Sequence, residues 1–153
     1  VEDAVILPYT NKQHAGFIGH SYLGSWVNLG ADTNCSDLKN NYGTVKVKLN
    51  SKTIDTGSQF LGVIIGDHSK SAINTMFNTG TIVGISSNIF GAGFPEKYIP
   101  SFSWGGADGQ TTYEINKSIQ TAKIVFGRRN KGFTPEDEKL LQAVFNLTKE
   151  ERE

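Results

Sequence analysis

The chain has 153 residues with 37% hydrophobic content, enough for one domain with its own core and far from the composition of a disordered protein. Its 15 Lys and Arg residues balance its 15 Asp and Glu residues, which argues against a nucleic acid or an anionic membrane as partner. No apolar run approaches the ~20 residues of a membrane span, and the single Cys35 excludes an internal disulfide and predicts a reducing compartment, the cytoplasm.

The N-terminal part of the chain repeats an aliphatic residue followed by glycine. Ile18, Leu23 and Leu29 each precede a Gly, in the units IGHSY, LGSWVN and LGADTN. Glycine weakens a strand interior, so a different architecture is indicated. His14 stands just before this block. His20 takes an outward position within it and is a candidate for shaping a substrate site.

The repeat breaks between residues 35 and 60. SDLKNNYG is polar and typical of a loop, and the alternation of Val45, Val47 and Leu49 predicts an exposed strand. Long loops ejected from compact folds usually carry function. We therefore predict that this insertion walls a pocket or reaches a neighbouring subunit, with a passive insertion as the alternative.

Five hexads in phase follow from Ile65: IGDHSK, SAINTM, FNTGTI, VGISSN and IFGAGF. Neither the strand period of two nor the helix period of 3.6 explains this spacing. A triangular solenoid does: positions one and five point inwards, position two lies at a corner, and positions three and four face solvent. His68, in position four, is accordingly predicted to be a surface residue. A sandwich of short strands with glycine turns is the alternative, which five hexads in phase disfavour.

Two helices are predicted after the extended, glycine-rich stretch that follows Pro95. The first covers residues 113–128. The second is capped by Thr134, with Pro135 in the first turn and Asp137 in the capping box. The predicted buried faces are Ile115, Ile119, Ala122 and Phe126 in the first helix and Leu140, Leu141, Val144 and Phe145 in the second. Such helices plug the end of a coil or dock on a neighbouring subunit, and the basic cluster Arg128-Arg129-Asn130-Lys131 is interpreted as a solvated helix end.

The sequence contains no phosphate-binding glycine loop, zinc-ligand spacing or nucleophile elbow. Its candidates for proton transfer are His14, His20 and His68. His14 is followed by Ala15-Gly16, a small pair that lets a ligand approach.

The stretch HAGFIGHSYLGSWVNLGADT, followed by NNYG, resembles the acetyltransferase half of bifunctional N-acetylglucosamine-1-phosphate uridyltransferases. It is more similar still to a bacterial branch of sugar-nucleotidyltransferase-like proteins with the run S-D-L-K-N-x-Y-G. The resemblance covers Val1 to about Trp104. It implies a mainly β fold, a left-handed parallel β-helix of hexapeptide repeats; the spacing alone does not set the hand.

The resemblance also implies the organisation of the protein. Residues 1–106 would form the β-helix domain, with the insertion at about 35–60, and residues 107–153 a two-helix appendage. The chain begins at Val1 without Met, so we expect a nucleotidyltransferase domain upstream, the only part for which magnesium is expected. No metal site is expected in this chain, and the implied partner is two further copies of it, in a homotrimer.

Individual site residues follow from the family's motif, in which a His stands fourteen residues before the Asn of V-N-[IL]-G-A. His14 and Asn28 keep that spacing. The resemblance makes His14 the general base and acetyl-CoA the acetyl donor. It further implies a catalytic Asn41, substrate contacts at Phe17, Asn28 and Tyr42, and coenzyme A contacts at Ala31, Ala72, Ile73 and Gly91. Lys46, just after the YG turn, is a candidate to supply charge to a phosphate of coenzyme A or of the sugar, with a solvated strand lysine as the alternative.

The chemistry implied is N-acetylation of an amino sugar. An imidazole with an ordinary pKa of about 6.5 suits removal of a proton from an amine near neutral pH, and a backbone N–H stabilises the oxyanion that forms. Three positions depart from the family. Phe17 replaces a Tyr, Asp32 replaces a Gly, and Asp3-Ala4 replaces a basic pair, so less positive charge faces a sugar phosphate.

Two functions are therefore considered. One is an acetyl-CoA-dependent N-acetyltransferase acting on an amino-sugar phosphate such as glucosamine-1-phosphate. The other is a non-catalytic trimerisation or regulatory domain of a sugar-1-phosphate nucleotidyltransferase. Retention of His14, Asn28 and Asn41-Tyr42 favours the first, and loss of the expected cations favours the second.

Overall fold

The computed structural model describes every residue from Val1 to Glu153 as a series of very short strands followed by two helices. The strands are β1 (Val5–Ile6), β2 (Tyr22–Leu23), β3 (Asn28–Leu29), β4 (Asn34–Cys35), β5 (Lys46–Leu49), β6 (Lys52–Asp55), β7 (Val63–Ile65), β8 (Lys70–Ser71), β9 (Met76–Phe77), β10 (Thr81–Val83), β11 (Asn88–Ile89), β12 (Tyr98–Ile99), β13 (Ser103–Gly106) and β14 (Gly109–Thr112). The helices are α1 (Ile115–Arg128) and α2 (Pro135–Leu147), and a 3₁₀ turn covers Lys149–Glu151.

Parallel pairing arranges the strands as three faces of a coil. The first face has the order β1-β2-β7-β10-β12, and the second has β3-β8-β11-β13 with the antiparallel β14 at its edge. The third face pairs β4 with β9. Three hexads separate Lys70 from its partner Asn88 on the next coil, as the predicted solenoid requires. The protein is thus mainly β, with parallel sheets in a β-helix-like arrangement.

The interior of the coil follows the hexad pattern. All five residues in position one are at most 6% exposed: Ile65, Ser71, Phe77, Val83 and Ile89. Position five supplies small polar residues whose hydroxyls bond to backbone carbonyls, as Ser69 Oγ does with the Gly84 carbonyl at 2.6 Å. The prediction is wrong for Gly93, which is exposed, because the chain leaves the hexad path after Phe90.

The turns between faces use two positions of the hexad in different ways. Position four carries the left-handed backbone conformation, as at His68 (φ 64°) and Asn74 (φ 60°). Position two holds glycine at Gly66 and Gly84, where the next coil lies very close. A Cβ on Gly84 would stand 2.3 Å from the Ser101 nitrogen, closer than any real side-chain contact.

The three corners of the coil differ in what lies over them. The helix-covered corner, between the first and second faces, is marked by Tyr9, Trp26, His68, Ser86 and Phe102. The hairpin-covered corner, between the third and first faces, is marked by His20 and Gly80. The open corner, between the second and third faces, is marked by His14, Ala31, Ile73 and Gly91, and neither the helices nor the hairpin lies over it.

The insertion forms a hairpin, not a single exposed strand. β5 and β6 pair through a turn in which Asn50 and Ser51 both have positive φ. Val45 is fully buried and Val47 nearly so, because both side chains pack at Gly80 of the same chain. The expectation of exposure is therefore wrong for these two residues.

The helical tail packs on its own coil. Its core comprises Phe102, Tyr113, Ile119, Ala122 and Leu141. The capping box of Thr134 and Asp137 is confirmed. Leu140 was placed on the buried face and is 64% exposed, because the adjacent Leu141 takes the inward direction.

Coverage of two corners also corrects the prediction that positions three and four face solvent. Ser86 is buried beneath α1, where its hydroxyl lies 2.5 Å from that of Ser118. Thr79 is likewise buried. Neither helix is long and apolar enough to cross a bilayer.

Candidate functional site

The open corner brings predicted site residues from successive coils into one column. Asn11 pairs with Asn28 across the first two coils, and Leu29, Ser71 and Ile89 follow one another across the next three. Continuing the Leu29–Ser71 register by two residues places Ala31 beside Ile73, and the Asn74 N–H confirms this by donating to the Ala31 carbonyl at 2.8 Å. The Asp32 N–H donates in the same way to the Ala15 carbonyl at 2.9 Å, so Ala15 lies beside Ala31 and His14 immediately precedes it. Gly91 follows at the point where the chain leaves the hexad path.

The loop that carries His14 is tied down by Lys12, a residue that the sequence reasoning missed. The Lys12 ammonium donates to the carbonyls of His14 at 2.8 Å and of Ala15 at 2.7 Å. Burial lowers the pKa of Lys12, and the nearby Asp32 carboxylate opposes that shift. The His14 side chain is exposed and makes no hydrogen bond within the chain.

Unpaired backbone N–H groups line the open corner. The N–H groups of Ala31, Ile73 and Gly91 have no hydrogen-bond partner in the chain. The two coils approach closely here, since a Cβ on Gly30 would stand 2.6 Å from the carbonyl carbon of Ala72. An unpaired N–H that faces solvent is free to bind an oxyanion or the amide carbonyl of an extended ligand.

Asp32 fits the turn although the family has glycine there. Its φ of 57° lies in the left-handed region, which Asp tolerates better than most residues. Phe17 follows on the third face, where its N–H donates to Asn34 Oδ1 at 2.7 Å and its ring lies over Gly19. The Phe17 ring is partly exposed, so the position can still contact a ligand, without the hydroxyl of a Tyr.

Asn28 lies on the second face, not in the column with His14. Its Oδ1 accepts from Asn11 Nδ2 at 3.2 Å. It lines a cleft of about 300 Å³ between the second face and α1, together with Lys70, Arg128 and Arg129. Arg128 and Arg129 are exposed at the end of α1, as predicted for a solvated helix end, and both also border this cleft.

Three predicted site residues lie in the insertion and are not brought to His14 within one chain. Asn41 Oδ1 accepts from the Gly43 N–H at 3.0 Å, and Tyr42 projects into solvent. Lys46 pairs with Asp55 in the hairpin. All three border the hairpin-covered corner, so a site that joins them to His14 needs a second copy of the chain.

His20 has a partner that His14 lacks. Its Nδ1 lies 2.7 Å from Asp37 Oδ2, and its ring stacks on Phe60 at 4.9 Å. Asp37 was not singled out from the sequence, although it is the first acidic residue of the SDLKNNYG run. Ligand atoms of Glu2, His20 and Asp37 all lie within 4.8 Å of one another, and this is where the chain offers metal-ligand chemistry.

His68 is not the surface residue that its hexad position predicted. Its ring lies beside the stacked pair of Trp26 and Phe126, with centroids 6.3 Å and 5.9 Å away, because α1 covers this corner. Its Nδ1 is buried without a hydrogen-bond partner. Burial, assisted by the charge of Lys70, lowers the pKa of His68 to about 4, so the ring is a neutral packing element at pH 7.

Comparison with known proteins finds relatives among bifunctional enzymes. A bifunctional sugar-1-phosphate nucleotidylyltransferase/acetyltransferase of Sulfurisphaera tokodaii is 31% identical over 90 residues, 59% of this chain and 22% of the relative. The homologues of the chain described here are proteins of this bifunctional type. The Bifunctional protein GlmU of Methanocaldococcus jannaschii is 33% identical over 84 residues, 55% of this chain and 20% of the relative. That of Methanococcus maripaludis strain C7 is 30% identical over 92 residues, 60% and 22% respectively.

These matches are partial on both sides. The chain spans about a fifth of the length of the relatives, in their C-terminal part. No protein-family model matches it. The homology supports a transferase role at the general level and a role like that of a sugar-phosphate acetyltransferase.

Proposed function

We propose that this chain transfers the acetyl group of acetyl-CoA to the amino group of an amino-sugar phosphate such as glucosamine-1-phosphate. The observation that carries the proposal is the column of His14, Ala31, Ile73 and Gly91 along the open corner. It combines a potential base, unpaired N–H groups and a path without bulky obstruction. The names of the homologues supply the reaction class.

His14 is the general base of the proposed reaction. An amine attacks a thioester carbonyl only as the free base, so a proton must leave the nitrogen as the carbon–nitrogen bond forms. His14 Nδ1 or Nε2 accepts that proton, and the thiolate of coenzyme A departs as the tetrahedral intermediate collapses. Lys12 acts as a positioning residue, because its ammonium donates to the carbonyls of both His14 and Ala15.

The unpaired N–H groups suit the acetyl donor. The Ala31 N–H is placed to stabilise the oxyanion of the tetrahedral intermediate, a type of interaction worth ~3 kcal/mol in the barrier. The pantetheine arm of coenzyme A carries amides, and it would lie along Ala72, Ile73 and Gly91 parallel to the coil axis. The exposure of Ile73, 67% in the single chain, leaves it available to such a ligand.

A homotrimer completes the proposed site. Asn41, Tyr42 and Lys46 lie on the hairpin-covered corner, so they reach a neighbour's open corner only if two copies pack side by side. Three copies around one axis would form three such sites. Sedimentation of the purified chain at micromolar concentration should give three times its monomer mass.

The test is thiol release from acetyl-CoA with glucosamine-1-phosphate, comparing the wild type with His14→Ala. Loss of a general base lowers turnover by about 10²–10⁴-fold. His68→Phe is the matched control, because this histidine lies in the covered corner and should leave turnover unchanged. If His20→Ala abolishes turnover and His14→Ala does not, the base is His20 with Asp37. If the wild type acetylates none of a panel of amino sugars, the chain is the non-catalytic trimerisation domain.

A further inference from the structure

The cleft between the second face and α1 is a second candidate site, on the opposite edge of that face from His14. Its volume of about 300 Å³ lies at the lower end of the range for small-molecule pockets. Three cations border it: Lys70 from the coil, and Arg128 and Arg129 from the end of α1. Two amide side chains, Asn11 and Asn28, line it as well.

The cations of the cleft have no acidic partner. The ion pairs of the chain use His20, Lys117, Lys123 and Lys149. No acidic residue lines the cleft. The positive charge of the cleft is therefore not neutralised within the chain and is available to a bound anion.

Of the three cations, Lys70 is the one whose ammonium is buried without a carboxylate partner. Its ammonium donates to the His68 carbonyl at 2.8 Å, which leaves two of its three N–H donors for other acceptors. Burial lowers the pKa of Lys70 to about 8, as expected of an ammonium that has lost water and gained no carboxylate. A surface lysine without a role would extend into solvent instead.

The amides indicate what accompanies the anion. Asn11 and Asn28 face each other across adjacent coils, with Asn11 Nδ2 donating to Asn28 Oδ1 at 3.2 Å. That single bond leaves further donors and acceptors on both side chains. Carboxamides of this kind exchange hydrogen bonds readily with sugar hydroxyls, which both donate and accept.

We propose that this cleft binds the phosphate ester of a hydroxylated ring, with the phosphate at Lys70, Arg128 and Arg129 and the ring hydroxyls at Asn11 and Asn28. Guanidinium groups match phosphate oxygens in geometry and charge. A sugar phosphate has this chemistry, and so does the phosphorylated ribose of coenzyme A. The proposal concerns binding alone and stands apart from acetyl transfer.

Calorimetric titration of the full chain at low salt tests it, with inorganic phosphate, glucosamine-1-phosphate, coenzyme A and unphosphorylated glucosamine as probes. Phosphate and at least one phosphate ester should bind, and glucosamine should not. The double variant Arg128→Gln/Arg129→Gln should weaken that binding by about tenfold or more, since it removes charged hydrogen bonds. Both side chains are exposed, so its thermal midpoint should match the wild type.

Lys139→Gln is the matched control, an exposed cation of the tail on α2 that does not border the cleft. If it weakens binding as much as the arginine variant, the attraction is diffuse and the proposal is overturned. It is overturned equally if no phosphorylated probe binds. Whether the arginine variant acts on glucosamine-1-phosphate or on coenzyme A identifies the source of the phosphate, and either result supports the site.

Dependence on pH adds a signature of Lys70. Its charge is present below pH about 8, and a phosphate monoester gains its second charge near pH 6. Affinity should therefore be highest between these values and decline above pH 8, and Lys70→Gln should remove the decline. His14→Ala should leave binding intact, so failure of acetyl transfer and failure of this site are separate results.

Discussion

The open corner and the helix-covered corner have the same type of backbone turn but carry different kinds of side chain. The left-handed residue has a φ of 57° at Asp32 in the first and 64° at His68 in the second. At the helix-covered corner the exposed side of the turn carries Trp26 and Phe102, which pack against the tail. At the open corner it carries small residues and unpaired N–H groups. The same coil thus presents a packing surface on one edge and a binding surface on another.

The difference shows how a repeat acquires a site. The hexad determines where side chains point, and it leaves the outer positions of each corner free to vary. Aromatic residues there recruit α1 and α2: the Trp26 ring stacks between Tyr9 and Phe126, with both centroid distances at 4.1 Å. Where the outer residues are not aromatic, as at Ala31 and Ile73, nothing of the chain covers the turn, and its N–H groups stay available.

The largest effect should come from the feature that the corners share. Gly30→Ala at the open corner and Gly84→Ala at the helix-covered corner would each place a Cβ within 2.6 Å of backbone atoms of the next coil. Both should lower the free energy of unfolding by about 3 kcal/mol, since the coils must separate to admit the methyl group. Urea denaturation measures this. If only one variant is destabilised, the two turns are not equivalent.

The next effect should separate the corners. Phe126→Ala removes the ring that stacks on Trp26 and His68 and contacts Phe133 at 5.2 Å. We expect a loss of about 2–3 kcal/mol in the free energy of unfolding, less than for a fully buried Phe. Ile73→Ala at the open corner should change it by less than ~0.5 kcal/mol. A comparable loss at Ile73 would mean that the open corner is covered in solution, as in the proposed trimer.

The coil was predictable because its pattern is redundant. Five hexads repeat the same pattern of inward and outward positions, so an exception such as Asn78 in position two does not obscure it. The second helix was predictable for a local reason. Thr134, Pro135 and Asp137 form its N-terminal cap within four residues. The handedness of the coil stays a prediction, because the spacing is the same for either hand.

Contacts between distant segments were not predictable in this way. Nothing in the hexad at residue 68 records that Phe126 will lie over it, so His68 was assigned to the surface. The cleft likewise combines Lys70 with Arg128 and Arg129, nearly sixty residues later in the chain. The predicted roles of His14 and Asn41 depend further on a second copy of the chain. Periodicity describes a residue's neighbours on its own coil, not those that a tail or a partner brings.

Titration of His68 should distinguish the corners by pH. The folded pKa of about 4 lies below the ordinary value of 6.5 because burial disfavours the charged ring. The unfolded chain therefore binds the proton more readily, and stability is complete above pH 6.5 and lost as pH falls towards 4. We expect the loss attributable to His68 to be about 2 kcal/mol.

His68→Phe should abolish that part of the pH dependence. Phe102 already occupies the equivalent left-handed turn position with a φ of 58°, so the backbone accepts the ring. The substitution also removes the unpartnered Nδ1. His14→Ala is the control at the open corner, because it removes a histidine without changing any contact of the helix-covered corner. An unchanged acid profile in His68→Phe would show that other groups govern acid unfolding.

The smallest effect concerns how firmly the tail is held to its corner. Gly127 lies in the last turn of α1, and a Cβ there would meet no atom within 4 Å. Gly127→Ala should raise the free energy of unfolding by about 0.5–1 kcal/mol, because alanine reduces the entropy of the unfolded chain. This gain reaches the whole chain only if α1 and the coil unfold together in one transition. A raised midpoint of the helix signal in circular dichroism that the unfolding midpoint of the coil does not follow would show instead that the tail detaches first, and that the helix-covered corner can become an open one.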